Sequence, residues 1–172
     1  MSHPLESLIF ITIPEEHHLS TEIAVFDPSI PLPVQLTGSA DDFKPSELTW
    51  EMILAGILTV LAYDAENGQL DYYRSILQAI RPGIREEMTE AAILKVRNGD
   101  FELAEEIFLA LKGLDPEDKV TVLNLALLMD ERADSMRRSG LEDDADAFDA
   151  SAFEYYRVAM TAEPSIPEAF FN

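Results

Sequence analysis

The chain of 172 residues is 47% hydrophobic, enough for a real core, and carries 33 acidic against 12 basic side chains for a formal net charge of −21. That balance argues against nucleic acid and anionic membrane surfaces as partners, since both demand clustered Lys and Arg. Cysteine is absent, which removes disulfides, thiol catalysis and thiolate metal sites together.

Residues 1–45 differ in kind from the rest. They open without a basic n-region, and no apolar run anywhere in the chain approaches membrane-spanning length, so a cytoplasmic location without membrane contact is expected. No Lys or Arg precedes Lys44, and prolines surround two apolar runs, 8–13 and 23–26. Both runs are rich in β-branched and aromatic residues, which predicts two strands, paired as a hairpin through 14–20. Residues 27–33, with Pro28, Pro31 and Pro33, are expected to be extended. A lone two-stranded hairpin is marginal in water. It must pack on the helices, pair with another molecule or join a larger sheet. Residues 41–45 read as a linker.

From residue 46 the period becomes helical. A long helix over 46–66, with Ser46 as its N-cap, places Trp50, Ile53, Leu54, Ile57, Leu58, Leu61 and Ala62 on one stripe. Asn67-Gly68 ends it, and residues 69–80 form the answering helix through Tyr72, Tyr73, Ile76, Leu77 and Ile80. This first unit spans 46–81. The next, 85–116, reads as two short helices folded about Asn98-Gly99-Asp100. Met88, Ala91, Ala92 and Val96 recur at helical spacing before Gly99, and Phe101, Ala104, Ile107, Phe108 and Leu111 after it. Gly99 is suited to a left-handed helix end, Asp100 to capping the second helix, and Asp115-Pro116 to starting a third.

Residues 85–116 resemble the tetratricopeptide repeat (TPR), a helical-hairpin family with a period of about 34 residues. Ala92, Gly99, Phe101, Ala104, Phe108, Asp115 and Pro116 fall on its signature positions, while Met88 and Ala91 replace the usual large aromatic and leucine, and Lys95 the usual tyrosine. A further repeat follows over 119–164: Val122, Asn124, Leu125, Ala126 and Met129 match its first helix, and Ala152, Tyr156, Ala159 and Pro164 its second. Between them the chain is about 14 residues too long for the family, or about four helical turns. Two turns added to each helix keep both apolar faces in phase. Two long antiparallel helices are therefore expected, over 119–138 and about 144–162, turning near Ser139-Gly140. The alternative is an ordinary repeat with an acidic loop over 139–149. Residues 167–172 resemble the opening of another repeat, which is expected either to continue in a longer protein or to be covered by another chain. The first unit, 46–81, resembles a degenerate repeat. The expected fold is thus mainly α, an α-α superhelix of TPR-like hairpins over 46–172 behind an N-terminal β or extended segment over 1–45.

No catalytic, cofactor or metal site emerges from the residues. His17 and His18 are adjacent and point apart in a strand, and they lack the spacing of paired zinc ligands. The run Asp143, Asp144, Asp146 and Asp149 fails as a calcium loop, since, counted from Asp144, its fifth position is Phe148 and its twelfth Tyr155; a helix N-terminus accounts for the acids. Carboxylate pairs are too common in so acidic a chain to signal acid–base catalysis. The expectation is a non-enzymatic protein.

In TPR proteins the first helices of successive repeats line a groove that takes a peptide. Carried over, the resemblance implies groove positions at Ile93, Val96 and Arg97 from one repeat and at Leu123, Asn124, Leu127, Asp130 and Glu131 from the next, with Asn124 matching an asparagine that bonds a peptide backbone. Glu86, Thr89 and Val120 stand where the lysines and second asparagine of a carboxylate clamp would be sought. An acidic C-terminal peptide is therefore not the expected partner; a neutral or basic segment with apolar anchors is. The rival expectation is self-assembly into a homo-oligomer through the N-terminal strand segment or the unfinished C-terminal end.

Overall fold

The computed structural model describes residues 3–17, 19 and 25–161. Among these are two strands, β1 (Leu8–Ile11) and β2 (Leu32–Gln35), and six α-helices: α1 (Trp50–Tyr63), α2 (Leu70–Ile80), α3 (Ile84–Arg97), α4 (Phe101–Leu114), α5 (Lys119–Arg138) and α6 (Glu142–Thr161). None of the helices among the described residues is long and apolar enough to cross a membrane. Contacts divide the chain into two compact units, 1–87 and 88–172. The strands and the α1/α2 hairpin thus share one unit, and the border expected at 45/46 lies inside it.

In the first unit the strand expected over 8–13 forms over its first four residues, but its expected partner is replaced. Of the run 23–26, Val25 and Phe26 lie in no strand, and Ile23 and Ala24 lie outside the described residues. β1 instead pairs antiparallel with β2, Leu8 opposite Gln35 and Ile11 opposite Leu32. β2 is the buried strand of the pair: Leu32 and Val34 are fully buried, and Pro33 between them is buried as well, standing opposite Phe10 in a two-stranded sheet, where every strand is an edge and a missing N–H is tolerated. β2 packs on α1, and Gly56 makes that possible. A Cβ added there would lie 2.4 Å from the Pro33 carbonyl oxygen. The stretch leading to β2 is tied to α2 by two tyrosines: the Asp27 backbone N–H donates to the Tyr72 hydroxyl at 2.8 Å, and the Tyr73 hydroxyl donates to the Pro31 carbonyl at 2.9 Å.

The start of α1 also departs from expectation. Ser46 sits in a 3-10 turn, Pro45–Glu47, and Leu48 is extended (φ −64°, ψ 131°). The helix begins only after Thr49, whose hydroxyl accepts the Met52 N–H at 3.3 Å. Proline at 45 initiates a tight turn, and Thr49 offers a cap directly before Trp50, the first buried residue of the helix.

In the second unit both helix ends marked by glycine close as Schellman motifs. Gly99 (φ 80°) donates to Val96 and Asp100 to Lys95; Gly140 (φ 76°) donates to Arg137 and Leu141 to Met136. Two expected caps move. Asp100 makes no side-chain cap bond, its carboxylate lying 3.9 Å from Lys95 instead. Asp115 ends α4, and Asp118 caps α5 by accepting the Val120 N–H at 3.0 Å. Pro116 lies in the turn between them and starts no helix. On the part of α3 that lies in this unit, Met88 and Ala92 are buried, whereas Ala91 is exposed, so the inner face is narrower than expected.

The long helices form as expected at 119–138, and the second runs 142–161, which excludes the loop alternative. Their contact is the most extensive between any two helices here. Ala145, Ala152 and Ala159 recur every seventh residue on α6, and Ala126 and Ala133 do so on α5; all five are buried. A seven-residue repeat keeps one seam facing the partner, and alanine on both sides lets the backbones approach. Pro164 and residues 167–172, expected to belong to this and a further repeat, lie outside the described residues.

Candidate interaction surface

Helical phase gives α5 two faces. Val122, Leu125, Ala126, Met129 and Ala133 are buried; about 180° round, Val120 and Leu127 are 63% and 54% exposed. Leu123 and Asn124, half-buried, border the same outer stripe, and Glu131 continues it fully exposed. Of the remaining groove positions, Ile93 and Arg97 are exposed on α3 and Val96 is half-buried. No hydrogen bond or ion pair among the described residues joins the α3 set to the α5 set.

Asp130 is already engaged. Its carboxylate accepts a 2.7 Å hydrogen bond from the Tyr156 hydroxyl of α6. Burial, together with the hydrogen bond to a carboxylate that would repel a phenolate, pushes the Tyr156 pKa up to about 12. Asp130 thus ties α5 to α6, while Glu131 one position on remains open to solvent.

The α5/α6 pair has two distinguishable sides. On one, α4 is tied on: the Arg132 guanidinium meets Glu105 of α4 at 2.5 Å and lies 4.4 Å over the Phe148 ring, and Lys112 of α4 approaches the Tyr155 ring. Burial and the nearby Glu105 charge raise the Tyr155 pKa. On the other, Asp130 meets Tyr156, and Arg137 meets Asp149 with Asp134, Glu142 and Asp146 each 3.8 Å away. The hydrogen bond that Arg137 donates to Asp149, with the charges of Asp149, Glu142 and Asp146, raises the Arg137 pKa. Four carboxylates around one guanidinium leave this end of the pair strongly negative. Phe153 and Met160, 66% and 43% exposed, stand one residue after buried Ala152 and Ala159. The seven-residue alanine repeat was the signal that could have found them, for it fixes which neighbours flank the seam.

An open cleft of about 520 Å³ lies among the α3–α4 turn, Phe101, Leu103, Arg132 and Met136. None of the eight groove positions lines it, and its one cation, Arg132, is committed to Glu105 and Phe148. The aspartates of 143–149 occupy the first turns of α6, where they complement the positive end of the helix dipole. His17, of the adjacent histidine pair, accepts the Leu19 N–H at Nδ1, 3.2 Å away; His18 lies outside the described residues. Comparison with protein-family models, with curated proteins and with solved structures gives no match.

Proposed function

We propose that this protein is a non-catalytic interaction or scaffold module whose helical hairpins are of the tetratricopeptide type, binding a neutral or basic partner segment along the outer face of α5 and the groove positions Ile93, Val96 and Arg97 of α3. The observation that carries the reading is the outer stripe of α5. Two large aliphatic side chains, Val120 and Leu127, stand in solvent at one-face spacing although the same helix buries a full complement on its other face. Burying them in a partner would return about 25 cal/mol per Å² of apolar area. Leu123 and Asn124 add an apolar edge and a backbone-bonding amide, and Glu131 favours positive charge beside them.

The test is fluorescence anisotropy of the full chain with labelled synthetic peptides sharing two apolar anchors and carrying neutral, lysine-rich or acidic C-terminal flanks. Neutral and basic peptides are expected to bind, and Leu127→Arg to weaken them at least tenfold. Binding confined to the acidic peptide, or indifference to Leu127→Arg, overturns the reading. A second reading, self-assembly through the sheet, is favoured by Phe10, 49% exposed on β1. It requires a mass that rises with concentration and reverts to monomer in Phe10→Lys. Deleting residues 1–44 is not the way to test it, since Leu32 and Val34 belong to the core.

A further inference from the structure

We infer that the side of the α5/α6 hairpin turned away from α4 is a second docking surface, carried on α6 and bordering the α5 outer stripe, and that its occupant is a cationic amphipathic helix of another protein. On α5, Asp130 and Arg137 are seven residues apart and share one side, with Arg132 about 160° round from Asp130. On α6, Asp149 and Tyr156 share a side in the same way, about 100° from Phe148 and Tyr155. The contacts agree, for Asp130 meets Tyr156 and Arg137 meets Asp149, while α4 holds Arg132 and lies near Tyr155. α4 therefore occupies one side only.

The opposite side has the two halves that such a ligand needs. Its antiparallel register, carried on from the two cross-helix bonds, puts Met160 level with Ala126 and Phe153 level with Ala133. The apolar half is Met160 and Phe153, one α-helical heptad apart, or about 10 Å. That spacing matches residues i and i+7 on a ligand helix. The charged half, toward the α5–α6 turn, is the group of carboxylates that Arg137 only partly neutralises. A second copy of this chain would bring the same acids against these and a net charge of −21 against −21. Electrostatic complementarity selects a basic partner instead. The ligand helix lies with its basic end at the turn and its apolar end toward the start of α5.

The experiment uses the full chain and two 18-residue synthetic amphipathic helices with the same leucine face, one with lysines at one end of the polar face and one with glutamates there. Calorimetry is expected to show binding of the lysine peptide that weakens with added salt, and at least thirtyfold weaker binding of the glutamate peptide. Phe153→Ser with Met160→Ser is expected to cost at least tenfold, and Asp146→Asn with Glu142→Gln to reduce both affinity and salt dependence. Both double variants alter exposed side chains, and circular dichroism checks that their melting matches the parent. Val120→Arg, at the far end of the α5 outer stripe, is expected to leave the Phe153-dependent component in place. Equal binding of the two peptides overturns the proposal, as does indifference to Phe153→Ser with Met160→Ser. A concentration-dependent mass abolished by that pair also overturns it, since a second copy would then cover the face.

Discussion

Both units of this protein use small residues where backbones meet, and they do so by different means. In the first, a single glycine, Gly56, admits the β2 backbone at Pro33 onto α1. In the second, alanines at seven-residue spacing on both partners let α5 and α6 approach along their length. A helix meeting a strand touches it over a short patch, so one missing side chain suffices. Two antiparallel helices stay together for several turns, so the small residue must recur with the seam. The first arrangement concentrates sensitivity at one position, and the second spreads it over several.

The sharpest way to break the comparison is Gly56→Val. Because the contact is with backbone, relief requires moving β2, with Leu32 and Val34, off α1, and the cost is expected to exceed the roughly 1–3 kcal/mol typical of overpacking. Trp50, the chain's one tryptophan, is buried in this unit, so its emission should shift red; unchanged emission and melting would mean that the strand does not need the glycine. Phe108→Ala probes bulk in the second unit, away from the seam. With Phe108 almost fully buried, a loss of about 3–5 kcal/mol is expected in chemical denaturation.

Ala152→Leu tests the distributed seam. It should cost about 1–3 kcal/mol, and clearly less than Gly56→Val, because a helix pair can yield by a small shift along or away from the seam. A loss equal to that of Gly56→Val would erase the distinction drawn between the units. The smallest effect belongs to Tyr156→Phe, about 0.5–1.5 kcal/mol for one hydrogen bond to Asp130. The folded pKa of Tyr156 is raised to about 12, from an ordinary value near 10. The contribution of this bond is therefore fully present below about pH 10 and is lost as pH rises toward 12. Urea melts of parent and Tyr156→Phe should converge over that window; a constant difference would remove Tyr156 as the titrating group.

Helical phase made much of the second unit legible before any coordinates. The span of α5, the turn at Gly140 and the left-handed role of Gly99 all follow from local rules, because a helix satisfies its backbone within its own sequence. The caps were less legible. Asp100, Asp115 and Asp118 are each chemically able to cap, and the choice of Asp118 for α5 rests on where the turn after α4 leaves the chain. Among candidate site residues, the outward placement of Leu127 could be read from phase, whereas the engagement of Asp130 by Tyr156 could not. It depends on how far one helix is slid along the other.

By itself the sequence determined a mainly helical protein with strongly acidic chemistry, with helix ends at Gly99 and Gly140 and apolar periods that leave Val120 and Leu127 facing out. Only the tertiary structure decided that β1 pairs with residues 32–35, since the prolines there marked an extended stretch without naming its partner, and burial of Leu32, Pro33 and Val34 on β2 is a contact made far along the chain. It alone decided, too, which side of the α5/α6 hairpin α4 covers and which it leaves open with Phe153 and Met160. Local propensity sets the pitch of a helix and its stripes, but which stripe meets which neighbour depends on contacts between residues far apart in the chain.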